Sequence, residues 1–336
     1  MSTKLRHIFW IVLFVCPATL ASAGTISIPL VTVGDPGNLA DPDTGYGNVN
    51  YVYAIGEFDV TIAEYTAFLN AVATSDSGDP YHLYDSRMGN IVFGRGGCTF
   101  RGNGDMPAIW VTWADAARFV NWLSNGQPTG GEGAKTTETG TYTLNGAMTD
   151  AALMAVTRNP GSTWVLPNVN EWYKSAYYVG GGTNAGYWTY ATQSNMVPSN
   201  VLSATGTNNA NFIDSSNLGP PNYGYTDPTT GLTPVGTFAD SPSAYGTYDQ
   251  NGDVWQWNET PISGLYRDTR GGSFAGGWGS LYKWSDSAPY PMLADPTVGF
   301  RVAYVPEPST LMLLIVATVT VFLFPQALTR KRIGER

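Results

Sequence analysis

Two long stretches of this chain, residues 126–150 and 179–247, show neither the helical nor the strand periodicity of apolar residues. They are rich in glycine, asparagine and threonine instead. Long segments without regular structure are uncommon in compact domains, and those that occur usually bind a ligand or fold around one. We therefore expect an irregular domain whose long loops are held between short helices and strands.

Three short helices are predicted, and each begins at a residue that can cap its first turn. Thr61 with Glu64, and Asn168 with Glu171, have the spacing of a capping box, in which the two residues bond each other's backbone N–H groups. A helix between them begins near Thr112 and carries apolar residues at helical spacing. The alternation of apolar and polar residues predicts three strands, at 26–33, 51–60 and 299–305.

Both ends of the chain have the features of export signals. Residues 1–23 combine basic residues, an apolar run and a small-residue site, the pattern of a signal peptide that is cleaved before Gly24. At the other end, the apolar run 311–328 precedes the basic residues 330–332, which predicts a membrane segment with its basic end inside. We expect an exported protein of the cell envelope or extracellular space, anchored in the membrane at least transiently by its C-terminus.

The residues just before this apolar run, Pro306, Glu307 and Pro308, give the end of the chain a resemblance to PEP-CTERM sorting tags. The prolines exclude helix and keep the preceding backbone extended and accessible. The resemblance implies that residues 305–336 are a sorting signal read by an exosortase-like processing enzyme. An ordinary C-terminal membrane anchor is the alternative.

Charge and cysteine content restrict the chemistry of the domain between the two ends, residues 24–304. The chain has a formal net charge of −9 and no basic patch, which argues against nucleic acid as a partner. Cys98 is the only cysteine of this domain and His82 its only histidine, so a disulfide, a histidine-based zinc site and a Ser-His-Asp triad are not expected. An exported domain without disulfides needs another source of stability, and bound metal is the obvious candidate.

Six short motifs follow one another through the domain. They are Phe58-Asp59-Val60-Thr61, Val111-Thr112-Trp113, Leu166-Pro167, Gly252-Asp253-Val254-Trp255-Gln256-Trp257, Arg270-Gly271-Gly272-Ser273-Phe274 and Gly299-Phe300-Arg301. In this order and spacing they resemble the formylglycine-generating enzyme (sulfatase-modifying factor) family over nearly all of residues 24–304. The resemblance implies an α+β fold, distantly related to C-type lectins, with low regular secondary structure and calcium in its long loops.

The enzymes of that family oxidise a sulfatase cysteine to formylglycine with two active-site cysteines that hold copper. The matching positions here are Gly276 and Leu281. Neither offers a ligand, because Cu(I) is held by soft thiolates, so we expect neither bound copper nor the family's oxidase activity. Ser273 and Trp255 match residues that line the family's pocket. Cys98, a single thiol far away in sequence, is better explained as a small buried apolar residue.

The resemblance also implies two structural calcium sites. The first corresponds to the side chains of Asn211 and Asp227 with the carbonyls of Phe212 and Thr229, and the second to the side chains of Asp249 and Gln256 with the carbonyls of Gly252 and Val254. Calcium takes such oxygen ligands in irregular loops. In the second site Gln256 replaces a glutamate and Asp249 an asparagine, which leaves the net charge unchanged. A tight turn around Asp249 without an ion is the alternative.

Four aromatic residues, Trp278, Tyr282, Trp284 and Tyr290, lie where the family's substrate groove is expected. Aromatic rings along a shallow groove stack on the apolar faces of sugars or peptides. Core packing is the alternative, since the chain has 11 tryptophans and 20 tyrosines to place.

Two classes of function stay open at this point. The first is a non-catalytic binding module for envelope polysaccharide or a surface protein. The second is an enzyme of the same family, either an oxidase that receives its thiols in trans or one with other chemistry in the same pocket.

Overall fold

The computed structural model describes residues 25–73, 79–94, 97–203 and 205–306. The predicted signal peptide, the apolar run 311–328, Glu307 and Pro308 lie outside these ranges. Within them, no helix is both long and apolar enough to cross a membrane.

The predicted helices are confirmed, and all three have complete capping boxes. Helix α1 spans Ile62–Val72, helix α2 spans Trp113–Ser124 and helix α4 spans Val169–Tyr177. In each, the capping side chain and the side chain three residues later both accept backbone N–H groups, which satisfies donors that an isolated helix start leaves free. A further helix, α3, spans Asp150–Met154 and was not predicted, because one turn is too short to show a periodicity.

In the described part of the chain, nine short strands form three sheets. The strands are β1 Leu30–Val33, β2 Tyr53–Gly56, β3 Ile91–Gly94, β4 Gly97–Phe100, β5 Trp164–Val165, β6 Trp255–Pro261, β7 Arg267–Arg270, β8 Val298–Phe300 and β9 Ala303–Tyr304. The first sheet is antiparallel with the order β1-β2-β9-β5, and β3 pairs with β4 alone. The third has the order β7-β6-β8, in which β6 and β8 run parallel. The strands predicted at 26–33 and 51–60 exist as the shorter β1 and β2, whereas the single strand predicted at 299–305 is wrong: the chain there forms β8 and β9, which belong to different sheets.

An aromatic cluster between α1, α2 and β8 forms the centre of the largest core. Phe119 of α2 lies 5.3 Å, between ring centroids, from both Phe68 of α1 and Phe300 of β8. All three rings are fully buried. The motif Gly299-Phe300-Arg301 therefore has a packing role: its phenylalanine joins the end of the domain to the two helices.

The segment 178–254 contains no helix or sheet strand among its described residues, as the composition predicted. Isolated bridges hold it in place: Asn211 pairs with Gly252 within the segment, and Ile213 pairs with Gly277 outside it. Gly252 has a φ of +84°, and a Cβ at this position would lie 2.0 Å from the Asn211 carbonyl oxygen. Only glycine allows this close approach, which brings the loop around Asn211 against the start of β6.

Candidate functional site

The positions that correspond to the family's copper-binding cysteines lie in a turn after β7. Gly276 precedes a short 3-10 helix, Trp278–Leu281, and a Cβ at Gly276 would lie 2.6 Å from the Ser280 hydroxyl oxygen. Leu281 is fully buried and packs in a cluster with Tyr190 and Phe212. The side chain at 281 is therefore part of a hydrophobic core.

Cys98, the only cysteine of residues 24–304, is also part of a hydrophobic core. Cys98 on β4 is buried within the cluster of α1 and α2. Its backbone N–H donates to Asn70 Oδ1 at 2.7 Å, and its carbonyl accepts from the Asn70 amide at 2.8 Å. Burial raises the pKa of the Cys98 thiol to about 11, so it is protonated at neutral pH. A buried, protonated thiol is a poor ligand for copper.

The two predicted pocket residues lie on neighbouring segments. Ser273 is buried in the turn after β7, and Trp255 is half-buried at the start of β6. The segments are joined by a hydrogen bond of 2.8 Å from the Phe274 backbone N–H to the Asp253 carbonyl. Ser273 lies close to Leu281, because a Cβ at the preceding Gly272 would be 2.8 Å from Leu281 Cδ2, whereas Trp255 packs against the cluster of α1 and α2.

Three of the four predicted groove aromatics form a continuous row on the surface. Tyr282 contacts Trp278 on one side and Trp284 on the other, with ring centroids 5.5 and 5.7 Å apart. Trp278 is 43% and Trp284 51% exposed, which is unusual for residues of this size. Tyr290 pairs with Tyr266 instead, at 4.7 Å, and has no ring contact with this row.

The buried side chain of Lys283 holds the row in place, and the sequence did not indicate this role. Lys283 Nζ lies 2.8 Å from Asp41 Oδ2 and 2.8 Å from Asp43 Oδ2, so the N-terminal loop is tied to the segment that carries the aromatic residues. Burial alone would lower the pKa of Lys283, but the two carboxylates raise it above its usual value. Lys283 lies in a turn that is closed by a hydrogen bond of 2.8 Å from the Ser285 N–H to the Tyr282 carbonyl, so anchoring Lys283 inward holds the turn that carries Tyr282 and Trp284.

The first predicted calcium site retains a free ligand atom. Asn211 Nδ2 donates to the Gly231 carbonyl and to Asp253 Oδ1, both at 2.8 Å, which fixes the orientation of the amide. Asn211 Oδ1 is buried and has no hydrogen-bond partner in the described part of the chain. Asp227, the predicted carboxylate ligand, accepts the Thr229 N–H at 2.7 Å, and its carbonyl accepts the Gly231 N–H at 3.0 Å.

These residues fit a calcium ion better than any other metal. Within the described ranges, no three carboxylate, imidazole or thiol side chains lie close enough to share an ion. An ion at Asn211 would therefore rest on one carboxylate together with amide and carbonyl oxygens, which calcium accepts and zinc or copper do not favour.

The second predicted calcium site differs, because its ligand atoms are already bonded. Gln256 Oε1 accepts Trp172 Nε1–H at 2.7 Å and Arg301 Nε–H at 2.6 Å, and its amide donates to the Asp249 carbonyl at 2.8 Å. Asp249 Oδ2 accepts the Gly236 N–H at 2.7 Å. Burial raises the pKa of Asp249 to about 6. As arranged, these residues do not fit calcium, since the amide oxygen of Gln256 is fully used and a guanidinium stands beside it.

Arg301 of the last motif is the centre of this second region. It is fully buried, donates to the Gly56 carbonyl at 2.9 Å and to the Tyr248 carbonyl at 2.7 Å, and lies 3.4 Å from Asp59 Oδ1. Asp59 belongs to the first motif, so Arg301 joins the two ends of the series. No signal within either motif alone identifies this pairing.

Comparison with known proteins agrees with this geometry. Residues 44–305 match the family model described as sulfatase-modifying factor enzyme 1-like domain. Among solved structures, Treponema denticola variable protein 1 is similar, with 20% identity, coverage of 85% of this chain and 98% of that chain, and a TM-score of 0.51. The crystal structure of CarF is similar with 22% identity, coverage of 83% and 99%, and a TM-score of 0.50. No curated protein matches the sequence.

The two structural likenesses, at such low identity, show the fold alone, and they confirm the predicted α+β class with long loops. The family model spans most of the chain and includes the aromatic row, the Asn211 loop and Arg301. The chain therefore belongs to the sulfatase-modifying factor enzyme 1-like family.

Proposed function

We propose that this domain is a non-catalytic binding module of its family and that the row formed by Trp278, Tyr282 and Trp284 binds polysaccharide. The observation that carries the proposal is the contrast between neighbouring residues. Leu281, where the resemblance expects a copper-binding cysteine, is fully buried in a core, whereas Trp278 and Trp284 beside it are 43% and 51% exposed. The protein has kept a surface at this place but not the thiol that oxidation requires.

Polysaccharide suits this surface better than a protein partner. Exposed indole and phenol rings stack on the apolar faces of sugar rings. Gly279 and Ser280, between Trp278 and Tyr282 in the sequence, are small and uncharged, and the exposed carboxylate of Asp43 beside Lys283 can accept hydrogen bonds from sugar hydroxyls. The fixed position of the row through Lys283 reduces the entropy lost on binding.

The proposal includes the place where binding occurs. An exported protein with a PEP-CTERM-like tag would meet envelope polysaccharide directly, either anchored or after release by an exosortase-like enzyme. A calcium ion at Asn211 and Asp227 would have a structural role there, by holding the loop that leads to β6.

Co-sedimentation of the purified protein with extracted envelope polysaccharide, followed by titration with defined glycans, tests the proposal. Trp278→Ala and Trp284→Ala should each weaken binding about tenfold, since a stacked aromatic ring contributes roughly 1 kcal/mol or more. Tyr223→Ala is a matched control, because Tyr223 is 57% exposed and lies outside the row.

Two results would contradict the proposal. One is unchanged glycan binding in both tryptophan variants. The other is conversion of the cysteine in a sulfatase-derived peptide to an aldehyde by the wild-type protein, which would restore the oxidase interpretation.

A further inference from the structure

A second concave site lies away from the aromatic row, at the start of α1. The cavity has a volume of about 450 Å³, which is within the range of small-molecule sites. Its walls are largely apolar and include Phe58, Val60, Ala63 and Val235. It shares no lining residue with the aromatic row, so it requires an explanation of its own.

All the charged residues that line this cavity are acidic. They are Asp59, Glu64 and Asp105. Asp105 is exposed, while Glu64 is half-buried and accepts the Thr61 N–H at 2.8 Å as part of the capping box. Burial raises the pKa of Glu64, and the negative charge of Asp105, which lines the same cavity, raises it further. The cavity therefore has a negative potential that a cation would relieve.

Asp59 supplies independent evidence for a ligand. This residue is 2% exposed, and its Oδ1 lies 3.4 Å from Arg301 Nη2. Its Oδ2 is buried and has no hydrogen-bond partner among the residues that the structure describes. A buried carboxylate oxygen without a donor is destabilising, and native proteins seldom leave one unsatisfied. Burial raises the pKa of Asp59 to about 8, so without a partner this carboxyl would hold a proton at neutral pH, and an ammonium supplied by a ligand in the cavity would replace that proton.

We propose that this cavity binds an alkylammonium group, carried by a free aliphatic amine or by a lysine side chain. The ammonium donates to Asp59 Oδ2, its charge is balanced by Glu64 and Asp105, and its aliphatic chain lies against Phe58, Val60 and Val235. The ring of Phe58 is held in place by stacking on Tyr248, with centroids 5.5 Å apart, and is available for a cation–π contact.

Two other cations fit less well. A metal ion would need carboxylates that converge, and no such group of three occurs among the described residues. A guanidinium binds carboxylates best through two parallel hydrogen bonds, but Asp59 has only one oxygen free of Arg301. A compact ammonium needs only that single acceptor.

Isothermal titration of the purified protein with n-pentylamine, and with 1-pentanol as its neutral isostere, tests the proposal. A ligand of this size should bind with a Kd of about 1 mM. The alcohol should bind about tenfold more weakly, because it lacks the charge that the carboxylates attract. Nα-acetyl-lysine methylamide distinguishes the two sources: tighter binding than pentylamine identifies a peptide lysine, and weaker binding a free amine.

Variants locate the site. Asp59→Asn should reduce pentylamine affinity about tenfold, because it removes a charge-assisted hydrogen bond. Asp59 also pairs with Arg301, so its substitution can destabilise the fold. Asp105 is exposed, and the variant Asp105→Asn should fold normally. It should reduce pentylamine affinity about threefold, because it removes one negative charge. Asp286→Asn, at an exposed carboxylate outside the cavity, is the control and should leave affinity unchanged.

The proposal is overturned if pentanol and pentylamine bind equally, if neither binds, or if Asp105→Asn and Asp286→Asn have the same effect. If calcium competes with pentylamine in the wild-type protein but no longer competes in Asp105→Asn, the cavity is assigned to a metal ion instead.

Discussion

The two loops in which calcium was expected differ in whether their ligand atoms are free. At Asn211 the side-chain oxygen is buried and has no donor among the described residues, beside the loop of Asp227. At Gln256 the side-chain oxygen accepts two hydrogen bonds, one of them from Arg301. In the second loop the guanidinium of Arg301 supplies a positive charge. In the first loop a bound cation would supply it.

This difference shows how one protein family can keep a fold and change what stabilises it. A glutamate at position 256 would offer a charged ligand to an ion, but the neutral glutamine offers only one strong acceptor, and Arg301 and Trp172 both use it. Arg301 also compensates Asp59, so the region is held by an internal cation. Asn211 and Asp253 connect the two loops through a hydrogen bond of 2.8 Å.

The largest effect is expected from removing the internal cation. Arg301→Met keeps much of the side-chain volume but leaves Asp59 without its counter-charge and removes the guanidinium's hydrogen bonds to three backbone carbonyls and to Gln256 Oε1. Loss of one member of a buried ion pair lowers the free energy of unfolding by about 3–5 kcal/mol. Urea denaturation measures this change.

Arg87→Met is the matched control, because the Arg87 side chain is 55% exposed in its pair with Asp85. An exposed ion pair is screened by water and contributes little to stability. Equal destabilisation in the two variants would contradict the role assigned to Arg301.

The second effect is stabilisation by calcium through the Asn211 loop. Calcium at 100 times its Kd should raise the free energy of unfolding by about 2.7 kcal/mol, and a chelator should reverse the rise. Asp227→Asn keeps an oxygen that can accept the Thr229 N–H but removes the charge, so most of the calcium response should be lost.

Asp249→Asn makes the same chemical change in the other loop and should leave the calcium response intact. Thermal melts of both variants, with and without calcium, separate the two loops. A response that disappears in Asp249→Asn and survives in Asp227→Asn would reverse the assignment.

The parts of this fold that depend on neighbouring residues could be predicted from the sequence. The capping boxes at Thr61 and Asn168 fix their helices through contacts within three residues, and the glycine-rich composition of 179–247 predicts its irregular structure. The pairing of Asp59 with Arg301 joins residues 242 positions apart, and nothing local to either one indicates it.

The prediction of the candidate site from the sequence has the same limit. The family resemblance assigns ligand positions one at a time, so it placed Gln256 in a calcium site without showing that Arg301 occupies its oxygen. It also placed Tyr290 with the other groove aromatics, although the chain between Trp284 and Tyr290 leads that ring to Tyr266. Both differences depend on tertiary contacts that single motifs do not contain.

The smallest effect on binding is expected at Cys98. This residue is buried, and its backbone is hydrogen-bonded to the Asn70 side chain. Because burial raises the pKa of this thiol to about 11, iodoacetamide at pH 8 should alkylate it roughly a hundredfold more slowly in the native protein than in urea, where the pKa returns to about 8.5. The native rate should rise about tenfold per pH unit below pH 11, as long as the fold persists, since only the thiolate reacts.

Mass spectrometry assigns the label to Cys98, and Cys98→Ala should leave glycan binding unchanged. Rapid alkylation of the native protein, or loss of glycan binding in Cys98→Ala, would show instead that the thiol is accessible and that it contributes to the site.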